Sequence, residues 1–273
     1  MTTNASIKKF YETDGQQYGH RRWHQYPTGR FDYRATERAI RKNLVGQTIG
    51  HAVEIGCGPG TWTGLLDDHA EQVTAIDISE TMLAQAKKTH QERKIVFVRS
   101  DIMDYEPESS VDFIFSIRAF EYFKDKNTFL SQASSWLKPG GRFLIITKTK
   151  GSWWYGRSRI RNVLKRILPF LFYIEKRESN RQTENNLQNF WQERLLVGDF
   201  KRMLKNHGFE DIRVRPVIIR PPIFMRGKTE IPLIPPIFER AVLLFFEILD
   251  RLLSRLPGCT IFAESYIVTG KKP

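Results

Sequence analysis

The chain has 273 residues, 41% of them hydrophobic, so it is long enough for one large domain with a well-filled core. Its formal net charge is +13, and the segment 142–228 carries 20 Lys and Arg against 7 Asp and Glu. The rest of the chain is therefore neutral. This basic block suits an anionic membrane, a nucleic acid or an acidic small substrate, or it is a solvated face that aids solubility.

The two cysteines, Cys57 and Cys259, lie far apart, which argues against a disulfide framework and favours a reducing compartment. The first ten residues contain no apolar stretch of the kind found in signal peptides. We therefore expect a cytoplasmic protein.

Between residues 52 and 147, short apolar runs alternate with amphipathic ones, as in a parallel sheet with crossover helices. Ser79 and Asp125 are predicted to lie at helix N-termini, and the segment 138–141 is predicted to end the third helix. The predicted strands are 52–55, 73–76, 95–98, 111–116 and 143–147, and the predicted helices are 62–69, 79–90 and 126–137.

After residue 150 the pattern is less regular. Residues 157–168 suggest a basic amphipathic helix, and residues 237–256 suggest a helix with one apolar and one polar face. Further predictions are a helix over 197–206 and strands over 209–219 and 263–269. We expect a single domain over 1–273, with an N-terminal lid (1–45), an insertion (150–195) and an apolar helical insertion (220–258).

A glycine-rich turn follows the first strand, in the sequence Val-Glu-Ile-Gly-Cys-Gly-Pro-Gly at 53–60. Gly56 permits a tight turn, and Gly58 and Gly60 let the backbone approach a ligand without an intervening Cβ. The G-x-G-x-G spacing departs from the G-x-G-x-x-G spacing of dinucleotide-binding folds. Cys57 is interpreted as a small turn residue and not as a nucleophile.

This turn, preceded by Glu54, resembles motif I of the class I S-adenosylmethionine-dependent methyltransferases, with a core similar to that of the ubiquinone and menaquinone methyltransferases. The segments 75–79, 100–102, 112–116 and 137–141 resemble the other motifs of that family, in the same order. The resemblance implies a Rossmann-like, doubly wound, seven-stranded and mostly parallel sheet with helical lid insertions. It also implies S-adenosyl-L-methionine as cofactor and methyl transfer (EC 2.1.1.-) as the activity.

The resemblance assigns roles to individual residues. Asp77 is expected to accept hydrogen bonds from both ribose hydroxyls, and Asp101 from the adenine amino group. The alternatives are a helix cap for Asp77 and an ordinary loop acid for Asp101. Tyr18 and Arg30 are the candidates for binding the methionine carboxylate. The full set of predicted cofactor-binding residues is Tyr18, Arg30, Glu54, Gly56, Cys57, Gly58, Gly60, Asp77, Ile78, Met82, Asp101, Ile102 and Ser116.

The loop after the fourth strand, Ser-Ile-Arg-Ala-Phe-Glu-Tyr-Phe at 116–123, lacks the N/D-P-P-Y/F motif. Its absence argues against the amine methyltransferases of adenine and glutamine, which use that motif. In this loop Glu121 is predicted to be the catalytic general base, with Arg118 as an anion-binding or cofactor-side residue. The alternative is a capped turn with an ion pair between the two. No Cys, His or Asp cluster has metal-ligand spacing, so no metal is expected.

Two enzymatic functions are considered, beside a non-enzymatic one, supported by no positive feature, in which the chain binds the cofactor only as an interaction module. The first is methylation, on O, N or C, of a small hydrophobic acceptor such as a quinone, polyketide, isoprenoid or lipid precursor, with peripheral contact to the inner face of an anionic membrane. The second is methylation of RNA, with the 142–228 block following the phosphates. The apolar segment 237–256 favours the first, because RNA offers little to bind aliphatic side chains. Alternatively, the helices of the insertions pack on the core as a lid.

Overall fold

The computed structural model of the chain describes residues 8, 11–12, 18–20, 22–25, 27–150, 192–219 and 236–273. Most of the predicted insertion 150–195, with its basic helix over 157–168, lies outside these residues. So does the first part of the insertion 220–258. The single-domain organisation and its lid therefore stay predictions.

Seven strands form one sheet in the order β3-β2-β1-β4-β5-β7-β6, and only β7 runs antiparallel to its neighbours. This arrangement confirms the predicted fold class. The strand order reverses between β1 and β4, and the carboxyl ends of parallel strands at such a point form a ligand-binding crevice. The strands are β1 (Ile49–Ile55), β2 (Ala70–Asp77), β3 (Ile95–Arg99), β4 (Val111–Ile117), β5 (Leu137–Lys148), β6 (Glu210–Val217) and β7 (Ser265–Lys271).

Helices cover both faces of the sheet, which explains why its strands are apolar along their length. In β4, Phe113 and Phe115 point to one face and Ile114 to the other, as the two-residue period of a strand requires. The first face packs against α1 and α2, and the second against α4 and α5. The helices are α1 (Pro27–Leu44), α2 (Thr63–Asp67), α3 (Glu80–Thr89), α4 (Lys126–Trp136), α5 (Val197–Asn206) and α6 (Pro236–Leu253), and 3-10 turns cover Phe120–Tyr122 and Pro257–Phe262.

Both predicted helix caps are confirmed. Ser79 Oγ accepts a hydrogen bond from Met82 N at 3.3 Å, and Asp125 Oδ1 accepts one from Thr128 N at 2.9 Å. The helix predicted to end at 138–141 does end just before them, at Trp136, but these residues already belong to β5, which was predicted to begin only at 143. They form an irregularity at which the register between β4 and β5 shifts.

Asp250 fixes α6 to the rest of the domain. Its side chain is 2% exposed, and its two oxygens accept hydrogen bonds from Ile219 N at 2.7 Å and Arg38 Nη2 at 2.6 Å. The carboxylate thereby joins α6 to α1 and to the backbone just after β6, so its burial is compensated by hydrogen bonds. Over the described ranges, no helix is both long and apolar enough to cross a bilayer.

Candidate functional site

A cavity of about 300 Å³ lies at the carboxyl ends of β1 to β4, where the strand order reverses. The strands deliver their following loops to this edge of the sheet, so residues distant in sequence share one wall. Of the predicted cofactor-binding residues, the wall contains Tyr18, Gly56, Cys57, Gly58, Asp77, Ile78, Met82, Asp101 and Ile102.

The glycine turn has two different requirements for glycine. Gly56 has a φ of +70°, and a Cβ there would collide with the Cβ of Ala119. Gly58 has a φ of +55°, and a Cβ there would meet no atom within 4 Å. Gly56 is therefore required by packing, whereas the space beside Gly58 is open to the cavity.

Gly60 does not have the expected role of letting the backbone approach a ligand. It is absent from the cavity wall, and a Cβ on it would lie 2.9 Å from the His90 ring. His90 Nε2 also lies 2.8 Å from the Gly60 carbonyl oxygen. Gly60 thus allows α3 to pack closely against the turn. Its φ of +77° is a second reason for glycine at this position.

Asp77 connects the glycine turn to the start of α3. Its Oδ2 accepts a hydrogen bond from Gly58 N at 2.8 Å, and its Oδ1 accepts one from Ser79 N at 2.9 Å. Each carboxylate oxygen can accept a further hydrogen bond, so a ligand diol can still be bound. Burial raises the pKa of Asp77, and its backbone hydrogen bonds oppose the rise. The cap of α3 is Ser79, so Asp77 is not the helix cap.

Asp101 lies in the same wall, on the loop that follows β3. Its Oδ1 accepts a hydrogen bond from Met103 N at 3.1 Å, which fixes the loop. Ile78 and Ile102 border the cavity after β2 and β3, and Met82 borders it from α3. These apolar side chains and Asp101 line the same cavity.

Four of the predicted cofactor-binding residues lie off the cavity wall. One is Gly60, and the other three are Arg30, Ser116 and Glu54. Arg30 is exposed and donates a hydrogen bond to the His24 carbonyl oxygen at 2.9 Å. Ser116 is buried, and its Oγ donates to the Ile55 carbonyl oxygen at 3.2 Å. Glu54 is buried behind the glycine turn. These three side chains support the turn or lie outside the cavity.

Burial raises the pKa of Glu54 to about 7. A carboxyl group whose pKa is raised on folding binds more protons in the folded state than in the unfolded state. Its contribution to stability is therefore complete below the unfolded-state pKa of about 4.3 and is lost as the pH rises through about 7.

Replacing Glu54 with Gln should remove this pH dependence. For the wild type, the shift corresponds to a loss on the order of 3 kcal/mol in the free energy of unfolding between pH 4 and pH 8. We expect urea unfolding to show Glu54→Gln more stable than the wild type at pH 8, with a smaller difference at pH 5. Parallel pH profiles for the two proteins would contradict the assignment.

Arg118 and Glu121 form a buried ion pair beside the cavity. Arg118 Nε donates to Glu121 Oε1 at 3.1 Å, and Arg118 Nη1 donates to Ser265 Oγ at 2.8 Å. The second oxygen of Glu121 accepts from Thr147 Oγ1 at 2.9 Å. Arg118 borders the cavity and has a φ of +65°, a strained conformation for a residue with a side chain. Glu121 is fully buried and does not border the cavity.

Three tyrosines, Tyr11, Tyr18 and Tyr122, form another part of the cavity wall. The Tyr11 ring packs edge-on against Tyr18 and Tyr122, at centroid distances of 5.5 and 6.2 Å. Gln192 Nε2 donates to Tyr122 Oη at 3.0 Å. Burial raises the pKa of Tyr11 and of Tyr122, so both phenols stay protonated at neutral pH. Only Tyr18 of this cluster was among the predicted site residues.

The tyrosine cluster continues into other aromatic side chains on the wall, Trp23, Trp62 and Phe123. Trp23 packs edge-on against Trp62 at 5.2 Å. In the part of the chain that the structure describes, no group of three His, Cys, Asp or Glu residues is placed to hold a metal ion. The wall is therefore aromatic and apolar, with a few acidic and cationic groups at fixed places.

Residues 53–145 match the family model described as a methyltransferase domain. A malonyl-[acyl-carrier protein] O-methyltransferase of Ilyobacter polytropus is 27% identical over 164 residues, which cover 59% of this chain and 61% of the relative. A trans-aconitate 2-methyltransferase of Escherichia coli is 33% identical over 97 residues, which cover 35% of this chain and 38% of the relative. The match thus spans less than two thirds of each curated relative.

The fold also matches a solved structure along nearly its whole length. Magnesium protoporphyrin IX methyltransferase from Synechocystis, solved with bound S-adenosylhomocysteine, superposes with a TM-score of 0.60 and 13% identity, covering 99% of this chain and 100% of that one. At this identity the likeness concerns the fold alone. Residues 53–145 thus match a methyltransferase domain in sequence, and the sheet order and the superposition show the fold of class I S-adenosylmethionine-dependent methyltransferases.

Proposed function

We propose that the protein transfers a methyl group from S-adenosylmethionine to a small hydrophobic acceptor, such as a quinone, polyketide, isoprenoid or lipid precursor. The observation that carries this proposal is the aromatic wall formed by Tyr11, Tyr18, Tyr122 and Phe123 in the same cavity as Asp77. Aromatic side chains offer a large contact area to a flat or apolar molecule. Water is then excluded from the place where the acceptor meets the cofactor.

The cofactor is proposed to lie along the strand ends. Asp77 accepts hydrogen bonds from the ribose hydroxyls, and Asp101 accepts one from the adenine amino group, between the side chains of Ile102 and Met82. The open space beside Gly58 takes the methionine part. When bound, the cofactor supplies an activated methyl group, so the chain itself has mainly to position the two molecules.

The cavity wall favours an acceptor that needs no base from the protein. The phenols of Tyr11 and Tyr122 are protonated, and Arg118 is cationic and bound to Glu121. Glu121, predicted as the general base, accepts hydrogen bonds from Arg118 and Thr147 and does not border the cavity. We propose that Glu121 positions Arg118, and that the acceptor reacts through a group already deprotonated in water.

The alternative, an RNA substrate, is less compatible with the position of three arginines of the 142–228 block. Arg142, Arg213 and Arg215 line a groove formed by β5, β6, β7 and two helices. None of the three lines the cavity at the carboxyl ends of the strands. An RNA chain following these three residues would not be led to the cofactor.

A cytoplasmic location, in contact with an anionic membrane, is part of the proposal.

The test is methyl transfer from radiolabelled S-adenosylmethionine by the purified protein, offered an organic-solvent extract, a polar small-molecule extract and total RNA separately. We expect label in a compound of the organic extract. The matched control is Gly58→Val, which should transfer no label in any fraction. Label in RNA, or only in the polar extract, would overturn the proposed acceptor class.

Replacing Asp77 with Ala should weaken S-adenosylmethionine binding by about 1.5–3 kcal/mol, the usual loss for hydrogen bonds to a charged group. Calorimetric titration measures this loss directly. Because Asp77 also holds Gly58 N and Ser79 N, the unfolding of each variant is measured without cofactor. Asp77→Asn keeps the volume and one acceptor oxygen, so it should lose less affinity. An unchanged dissociation constant in Asp77→Ala would remove Asp77 from the binding site.

A further inference from the structure

Helix α6 exposes a row of large apolar side chains on the face turned away from the domain. Leu243 and Phe246 pack towards the core, and Asp250 is buried. On the opposite face, Leu244, Phe245, Ile248, Leu252 and Leu256 are each more than half exposed. We call these five residues the apolar stripe. The first four lie on one side of α6, and Leu256 follows three residues after the end of the helix. A contiguous exposed apolar patch of this kind marks an interaction surface.

A basic groove of about 770 Å³ lies beside α6, between this helix, α1 and the strands β5, β6 and β7. Two ion pairs inside it, Arg38 with Asp250 and Lys271 with Asp211, are neutral in themselves. The remaining charged residues on its wall are all cationic and give it six positive charges. They are Lys42, Arg142, Arg213, Arg215, Arg251 and Arg255.

The apolar stripe and the basic groove adjoin each other on α6. Arg251 lies in α6 and follows Leu244 by seven residues, which is close to two helical turns, so it lies next to the stripe. Arg255 follows the end of the helix and directly precedes Leu256 of the stripe. Arg251 and Arg255 are exposed and also border the groove. One continuous surface is therefore apolar along one side and cationic along the other.

We propose that this surface docks the protein on a bilayer that contains anionic lipid. The apolar stripe enters the boundary between headgroups and acyl chains, and the basic groove lies against the negative headgroups. The inference deepens the proposed function and rests on it for the apolar nature of the acceptor, which would be met in the membrane. None of the residues that line the groove also lines the cavity, so docking through the groove leaves the cavity wall free of these contacts.

Charge and composition favour a bilayer over other occupants of this surface. A second copy of the chain would cover the stripe, but it would bring its own +13 charge against the first. An RNA would neutralise the groove and leave five exposed apolar side chains in water. An anionic bilayer matches both sides of the surface at once.

The test is co-sedimentation of the full chain with vesicles of phosphatidylcholine and phosphatidylglycerol, compared with vesicles of phosphatidylcholine alone. We expect binding to the anionic vesicles that weakens as salt rises. The double variant Ile248→Ser with Leu252→Ser should lower binding about tenfold, and Arg251→Glu with Arg255→Glu should do the same. Residue pairs exposed elsewhere serve as controls: Val45→Ser with Val96→Ser, and Lys87→Glu with Lys88→Glu, should bind like the wild type.

Two further measurements keep the outcome clear. Calorimetry with S-adenosylmethionine shows whether each variant still binds cofactor, so a failed membrane test is distinguishable from a failed methyltransferase assignment. Light scattering shows whether the stripe joins two copies. The proposal is overturned if the wild type does not sediment with anionic vesicles, if both surface variants bind like the wild type, or if the stripe variant turns a dimer into a monomer. Stronger binding to RNA than to vesicles would overturn it as well.

Discussion

Replacement of Gly58 by Val is expected to abolish binding of S-adenosylmethionine. A valine there would extend into the cavity beside Asp77, where the structure has no protein atom within 4 Å of the added Cβ. The side chain would occupy the space required by the ligand, and a φ of +55° would strain it. We expect the affinity to fall about 1000-fold or more, equal to about 4 kcal/mol. Calorimetric titration of the purified variant checks this loss.

Gly46→Val is the matched control for this experiment. Gly46 has a φ of +75°, and a Cβ there would likewise meet nothing within 4 Å, but it lies after α1 and away from the cavity. Both variants therefore strain the backbone, and only one blocks the site. Equal affinities in the two variants would refute the assignment of the glycine turn to cofactor binding.

Replacement of Glu121 by Gln is expected to destabilise the fold by about 3–5 kcal/mol, the usual cost of removing one partner of a buried ion pair. The change removes the carboxylate that is hydrogen-bonded to Arg118, whose side chain is 12% exposed, and leaves Glu264 at 4.0 Å as its other carboxylate neighbour. Urea unfolding measures the loss. Thr147→Val removes the hydrogen bond to the other oxygen of Glu121 while keeping the charge, so it should cost about 1–3 kcal/mol.

The two roles considered for Glu121 predict different results. A general base would lower kcat by about 10²–10⁴ in Glu121→Gln with unchanged stability. If Glu121 instead positions Arg118, Glu121→Gln should lower the free energy of unfolding. The conservative replacement Glu121→Asp should then retain part of the stability that Glu121→Gln loses. A stable Glu121→Gln protein that binds cofactor normally but has lost kcat would restore the prediction of a base.

The meeting of Gly58, Asp77 and Asp101 in one cavity wall was predictable, because all three lie at the ends of parallel strands. Asp77 is the last residue of β2, Gly58 and Asp101 closely follow β1 and β3, and parallel strands end at one edge of the sheet. A pattern local in sequence thus determines which side chains meet. The fold class was predictable for the same reason, since alternating strands and helices specify a parallel sheet with covered faces.

The remaining features depend on contacts that no local pattern reveals. Glu121 and Arg118 are three residues apart, but their other hydrogen-bond partners are distant in sequence. Thr147 of β5 binds Glu121 and Ser265 of β7 binds Arg118, and these two strands are neighbours in the sheet. Gly60 looked like a ligand-facing glycine, whereas its neighbour is His90, thirty positions along the chain.

The tyrosine cluster was missed for a related reason. Tyr11 and Tyr122 lie in segments without hydrophobic periodicity, and their contact joins positions more than a hundred residues apart. The number of aromatic residues before α1 was the available signal, but it does not say which ring reaches the cavity.

The structure of the protein with bound S-adenosylhomocysteine tests the central claim most directly, because it shows where the cofactor lies. The ribose hydroxyls should lie within hydrogen-bond distance of Asp77, and the adenine amino group should lie near Asp101. The sulfur should face the space bordered by Tyr11, Tyr18 and Tyr122. A ligand bound elsewhere, or a ribose turned away from Asp77, would contradict the account.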